Sequence, residues 1–398
     1  MQSLRQLYKI GHGPSSSHTM GPQKAAQVFL ERFPNASYEV DLYGSLSLTG
    51  KGHLTDWILE QTLPGVRVHF RSDFLEAHPN ALDFKAIRGD TQIGFMRVYS
   101  VGGGDIVIEG ETALDEAYVY KERTFAEIKA VCQRNDWSLF EYVCAVEGDD
   151  IKDFLHTVWQ TMKRTVERGL QTEGVLPGRL KVVRKAGMLY RKKPKHEVQE
   201  IKESRLVSAY AFAVNEENAA GGEIVTAPTC GAAGTVPAVL YYMQERHGFS
   251  DEQIAKALGV AGLIGNLIKH NASISGAEAG CQAEVGSACS MAAAAHATLF
   301  KLSINQIEYA AEIALEHHLG LTCDPIGGYV QIPCIERNAV AAMRAIHACG
   351  LAYFLSDTRK IDFDTIIETM YQTGKDMPAS YRETSCGGLA VYYKEKED

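Results

Sequence analysis

Ala288-Cys289-Ser290-Met291-Ala292-Ala293-Ala294-Ala295-His296-Ala297 is the stretch on which the fold turns. It has small residues all round and no polar face, so it predicts a helix packed closely by neighbours on every side. Its surroundings supply those neighbours. Apolar residues recur at helical spacing over 125–134, 151–169, 203–217, 232–246, 251–268, 281–302, 304–318, 335–353 and 361–372, and strand signals are nearly absent from about Thr124 onward. The expected architecture there is an all-α bundle.

The first 120 residues read differently. Tyr38-Glu39-Val40-Asp41-Leu42-Tyr43, Val66-Arg67-Val68-His69-Phe70 and Gln92-Ile93-Gly94-Phe95-Met96-Arg97-Val98-Tyr99 alternate as half-buried strands do. Helical stretches fall at 23–32 and 54–63. The fold class is therefore α+β and multidomain, a small α/β domain over 1–120 followed by a larger all-α domain over 121–398. Val101-Gly102-Gly103-Gly104-Asp105 lies between strand-like segments with no helix after it, which makes it a hairpin turn and not a phosphate cradle.

Forty basic and forty-nine acidic residues give a net charge of -9. That balance argues against nonspecific attraction to nucleic acid or to an anionic membrane. The expected partner is a small molecule or another protein. The N-terminus lacks the apolar core of a secretion signal, no stretch reaches eighteen uninterrupted apolar residues, and nine cysteines is an odd count. These features predict a cytoplasmic protein with reduced thiols. The basic stretch from Arg179 to Lys195, bounded by Pro177, Gly178 and Pro194, reads as a solvated loop or arm.

Three cysteines differ from the other six in their surroundings. Cys281 follows Gly280, Cys334 follows Pro333, and Cys323 opens the run Cys323-Asp324-Pro325-Ile326-Gly327-Gly328. Small or kinked backbone leaves room for a bulky inorganic group. Three thiolates from separated segments can hold a metal or an iron-sulfur cluster and leave one position open. The spacing, 41 intervening residues and then 10, matches neither the short ferredoxin nor the zinc-ribbon pattern, so plain core cysteines remain the other reading. Cys289, two helical turns beyond Cys281, is expected in the core.

Two loops in the first domain carry polar chemistry. Gly13-Pro14-Ser15-Ser16-Ser17-His18-Thr19 runs directly into a helix, where hydroxyls, free N–H groups and the helix dipole suit a carboxylate, or where a serine simply caps the helix. Gly50-Lys51-Gly52-His53-Leu54-Thr55-Asp56 puts Lys51 and His53 on a flexible turn, where His53 is either an inert exposed histidine or a general base oriented by Asp56 three residues on. Asn215 to Glu223 and Thr226 to Gly234 are polar, glycine-rich joints between apolar helices and so candidate pocket linings.

Taken in order, these stretches resemble the iron-sulfur-dependent L-serine dehydratases, or L-serine ammonia-lyases, in their single-chain form. The resemblance rests on Gly13 to Thr19, Gly50 to Asp56, Asn215 to Gly222, Asn271 to Glu278, the Cys323-Asp324-Pro325 to Cys334-Ile335-Glu336-Arg337-Asn338 segment, and Tyr381-Arg382-Glu383-Thr384-Ser385. It implies a 4Fe-4S cluster on Cys281, Cys323 and Cys334 with one iron lacking a protein ligand, and no pyridoxal phosphate. It implies L-serine as substrate, held by the loop Ser15, Ser16, Ser17, His18 and Thr19, with His53 acting in catalysis; Asn218 joins the candidate substrate-binding residues, and Lys51 and His18 stand beside His53 as candidates for the base. It also implies a homodimer and a site between the two domains. Some members end in a cysteine that enters their own active site; this sequence ends Lys394-Glu395-Lys396-Glu397-Asp398, with Cys386 nearby, and Cys230 has no assigned role. A hydro-lyase for L-threonine or another small hydroxy acid, and a noncatalytic amino-acid-binding regulator, are the alternative readings.

Overall fold

The computed structural model describes residues 1–111 and 118–394. Its strands are β1 (Ile10–His12), β2 (Ser37–Leu42), β3 (Arg67–Phe70), β4 (Ala81–Arg88), β5 (Thr91–Gly102), β6 (Asp105–Ile108) and β7 (Glu223–Val225). The helices of the first part are α1 (Gly21–Arg32), α2 (Gly44–Thr49) and α3 (Thr55–Thr62). Beyond it run α4 (Phe125–Asn135), α5 (Leu139–Glu147), α6 (Ile151–Gln171), α7 (Ala186–Arg191), α8 (Gln199–Ala219), α9 (Thr235–His247) and α10 (Asp251–Asn271). The series closes with α11 (Gly276–Ala279), α12 (Ser287–Leu299), α13 (Ile304–Glu316), α14 (Cys334–Leu355), α15 (Phe363–Asp376) and α16 (Leu389–Tyr392). The α+β class holds.

A five-stranded sheet of order β3-β2-β4-β5-β6 forms the N-terminal part, with β2 and β3 parallel and the other pairs antiparallel. Alternation decides which face is covered. Tyr38, Val40, Leu42, Leu82, Phe84 and Val98 turn inward onto Ala25, Phe29 and Leu59 of α1 and α3. On the other face Asp41 and Asp83 lie directly opposite in register, a like-charge pairing relieved by Lys85 and Arg71 on Asp41 and by Arg97 on Asp83. Gly103 and Gly104, both with positive φ, make the two-residue β5–β6 hairpin predicted for that glycine run.

In the helical part α12 packs against α9, α10, α13 and α14. Every residue of α12 except Thr298 is buried, as the alanine run requires. The helix expected over 281–302 begins differently: residues Gln282–Gly286 form a π-helical turn before α12 proper. Within the basic stretch 179–195, α7 is helical where a loop is expected, because Glu216 accepts hydrogen bonds from the Lys185 and Ala186 N–H groups at its start. Arg184 there pairs with the buried Glu217 and Arg191 with Glu173, so the arm is partly tied down. With the turn that follows it, α14 is long and apolar enough to cross a membrane, yet one side of it packs against α8, α9, α12 and α13.

The first twelve residues belong with the helices and not with the sheet. Met1, Leu4, Leu7 and Tyr8 enter the helical core, the Tyr8 hydroxyl donates to the Leu258 carbonyl at 2.9 Å, and β1 pairs antiparallel with β7. This threading carries the chain from the helical core through the serine-rich loop into the sheet.

Candidate active site

Cys281, Cys323 and Cys334 open on one pocket, each placed by a local break in the backbone. Gly280, at φ +73°, ends α11 and turns the chain into Cys281. Cys323 lies in extended chain clamped on both sides: its N–H donates to the Tyr381 carbonyl at 2.8 Å, and its carbonyl accepts from the Glu383 N–H at 2.9 Å. Cys334 is the first residue of α14, directly after Pro333. Room among them comes from glycine, since a Cβ on Gly276 would stand 3.2 Å from Cys323 Sγ and 2.9 Å from Glu284 Oε2. Gly231, Glu284, Pro325 and Val330 complete this wall.

The electrostatics ask for a cation. Burial pushes the Cys281 thiol up to about 11 against the pull of Arg337. Burial pushes Cys323 and Cys334 higher still, reinforced by the charges of neighbouring sulfurs and carboxylates. A thiol becomes a ligand only as thiolate, so a metal-based cation would supply the charge this donor set lacks. Among the described residues no three His, Cys, Asp or Glu side chains converge tightly enough for a single ion. A cluster binds each thiolate at a different iron, which spreads its ligands further apart. Three thiols around a glycine-cleared pocket, Cys281 and Cys323 buried and Cys334 half-buried, fit that wider demand.

The opposite wall comes from the N-terminal part. Ser15 caps a π-helical turn over Ser16–Met20, its hydroxyl accepting from the His18 N–H at 3.1 Å. Of the loop residues, Pro14 and Ser15 line the pocket. The others act behind it: Ser17 Oγ meets His18 Nδ1 at 2.8 Å, and the Thr19 hydroxyl donates to the His53 carbonyl at 2.7 Å. Asn218 also stands behind the loop, donating from Nδ2 to the Pro14 carbonyl at 2.9 Å, while its buried Oδ1 has no partner among the described residues. Ser16 is buried within the same turn.

His53 lines the pocket and His18 stacks behind it, ring centroids 4.4 Å apart. Burial lowers His53 to about 4 and His18 well below the usual imidazole range, so both are neutral near pH 7. Asp56 does not orient His53. Its carboxylate accepts from the Trp57 N–H, and His53 Nδ1 instead meets the Thr49 carbonyl at 3.0 Å. Lys51 is exposed with its ammonium 5.4 Å over the Phe70 ring, outside the pocket lining. Cys230 is buried against Met20 Sδ at 3.3 Å, and Cys289 donates to the Ala341 carbonyl within the core.

Two carboxyl groups complete the pocket without any role assigned from sequence. Glu284, on the π-helical turn after Cys281, accepts from the Thr229 hydroxyl at 2.8 Å. Glu383 stands between the histidines with φ +57°, a left-handed conformation uncommon for a side chain of its size. Burial raises both, Glu383 further through the nearby charge of Glu284. The one sequence signal for Glu284 is a lone carboxylate among small residues, Cys281-Gln282-Ala283-Glu284-Val285-Gly286.

A thiol-lined pocket faced by neutral imidazoles and carboxyls, and shut between a helical bundle and a small α/β part, has the makings of an enzyme active site. The comparisons sharpen that class: residues 85–390 match the family model described as Serine dehydratase alpha chain, and residues 3–69 the one described as Serine dehydratase beta chain. The chain belongs to the serine dehydratase family, in its single-chain form. It is 42% identical to L-serine dehydratase 1 of Escherichia coli and to an L-serine dehydratase of Haemophilus influenzae, each over 98% of this chain and 99% of the relative. An L-serine dehydratase of Streptomyces coelicolor is 41% identical over 98% of both.

Proposed function

We propose that the protein removes water from L-serine to give pyruvate and ammonia, with a 4Fe-4S cluster held by Cys281, Cys323 and Cys334. The observation that carries this reading is the convergence of three cysteines, distant in sequence, on one buried pocket whose far wall is Ser15 and His53. The relatives' printed activity supports the substrate. When bound, a cluster with three protein ligands supplies a Lewis-acid iron for the substrate hydroxyl.

The chain's own residues supply the rest. Ser15, the hydroxyl of the loop that reaches the pocket, takes the substrate carboxylate at the start of a helix. His53 donates from Nδ1 to the Thr49 carbonyl, which can only accept, so Nε2 is free to take the α-proton. A positioned base of this kind contributes about 10² to 10⁴-fold. Loss of the β-hydroxyl leaves an enamine that tautomerises and hydrolyses. No lysine lines the pocket among the described residues, which favours iron-sulfur over pyridoxal chemistry. Nine unpaired cysteines support a reducing, cytoplasmic setting.

Anaerobic purification tests the reading directly. A brown protein with iron and sulfide in equal amounts, forming pyruvate from L-serine in preference to D-serine and L-threonine, is the expected result. A colourless, iron-free protein with full turnover would overturn the cluster, and one that binds serine unchanged would overturn the reaction.

A further inference from the structure

The hydrogen bonds behind the pocket leave one carboxyl group in a singular position. His53 Nδ1 is a donor because its partner at 3.0 Å is the Thr49 carbonyl, so His53 Nε2 carries a lone pair. Ser45 Oγ donates its only proton to the Glu383 carbonyl at 2.8 Å. The contact of 3.0 Å between His18 Nε2 and Ser45 Oγ must then be donated by the imidazole, which leaves His18 Nδ1 bare to accept from Ser17 Oγ. Both bare nitrogens face the same atom: Glu383 Oε1 lies 3.7 Å from His18 Nδ1 and 3.7 Å from His53 Nε2.

Everything around Glu383 holds it there. Its side chain is 6% exposed, its N–H is tied to the Cys323 carbonyl, its carbonyl to Ser45, and its backbone is left-handed. Such a conformation persists only where the surroundings over-determine it. A separation of 3.7 Å is too long for a hydrogen bond in the resting protein, and catalytic contacts of this kind tighten in the substrate complex.

We propose that Glu383 is a positioning residue of the dehydration: its Oε1, 3.7 Å from His18 Nδ1 and from His53 Nε2, sets the spacing and tilt of the two imidazoles and so the direction in which His53 Nε2 faces the pocket. In the step concerned, the substrate Cα–H bond breaks and its proton passes to His53 Nε2. The electron pair left on Cα forms the Cα=Cβ bond as the Cβ–O bond breaks, and the hydroxyl oxygen departs with its electrons. His18, pinned through the same Ser45 hydroxyl, walls off the far side.

The inference rests on the dehydratase reading of the pocket, so its test needs a readout independent of turnover. Full-length wild type, Glu383→Gln and Glu383→Asp are purified anaerobically, their iron content and steady-state constants for L-serine measured, and the imidazole ¹⁵N shifts of His53 recorded in the cluster-free proteins. The expected result for Glu383→Gln is unchanged iron, KM within about threefold and kcat lower by roughly 10² to 10⁴-fold, the range for loss of a positioned proton-transfer group. Its His53 Nε2 resonance should move, and Glu383→Asp should recover part of both. Wild-type kcat in Glu383→Gln, iron lost together with kcat, or an unmoved His53 resonance would each overturn the proposal. Wild type inert toward serine would instead sink the dehydratase reading, with the ¹⁵N comparison still deciding whether Glu383 orients His53.

Discussion

Cys323 joins more of the site than its two companion cysteines do: its backbone is laddered to Tyr381 and Glu383 and its thiol faces Cys281 and Cys334. Cys323→Ala should therefore lose both iron and turnover, read by metal analysis and pyruvate formation, and retained activity would remove it from the ligand set. His53→Ala should keep its iron and visible chromophore while kcat falls about 10² to 10⁴-fold; colour lost together with rate would mark His53 as structural. The cysteines were legible in the sequence because glycine and proline beside a thiol is an unusual environment. Glu284 was not, and Glu383 was legible only as part of the Tyr381 to Ser385 motif with no role, since a glutamate in a sequence looks like surface until the chain buries it. Asp56 misled for a definable reason. Leu54 takes a left-handed φ of +57°, so the helix starts at Thr55, and His53 lies outside the helical register in which a residue three positions on would face it.

At the level of elements, two π-helical turns do what the 3.6-residue pattern does not forecast. Ser16–Met20 leads into α1 and Gln282–Gly286 into α12, and each sets a polar residue at the pocket, Ser15 from the cap of the first and Glu284 from within the second. Long periodic helices such as α6, α10 and α14 were readable. Short ones held by a cap or a distant carboxylate, α5 and α7, were not, nor was β4, which pairs on both edges at the centre of the sheet. Between the two parts one close contact is glycine on glycine. A Cβ on Gly52 would stand 2.6 Å from the Gly328 carbonyl carbon and oxygen, in the segment joining Cys323 to Cys334. Gly52→Ala should push the His53 turn off that segment, lowering kcat/KM at least tenfold with a stability loss of about 1–3 kcal/mol, checked by kinetics and urea unfolding. Unchanged kinetics would show that the two segments are free to separate.

Across the whole molecule, buried neutral histidines set the acid limit of stability. Burial lowers His296 and His318 each to about 4, away from the pocket, and the pocket histidines shift in the same direction. Between that value and about 6.5 the unfolded chain binds more protons than the folded one, so stability is complete above about pH 6.5 and falls as pH drops toward 4. From pH 7 to pH 5 the loss should be on the order of 2 kcal/mol per histidine, seen as a lower urea midpoint. His296→Gln should flatten that dependence, and an unchanged slope would count against its burial as the cause.

The placement of residues 1–12 has a consequence for how such an enzyme can be encoded. Met1 to Tyr8 sit in the helical core and β1 is laddered to β7, while the sheet is built from both segments that the two family models match. Severed between those segments, the polypeptide would yield two fragments that interlock in both directions, one lending a terminal strand and the other completing a sheet. Two such fragments, expressed together with no peptide link across the break, should reassemble, checked by co-purification of the two pieces.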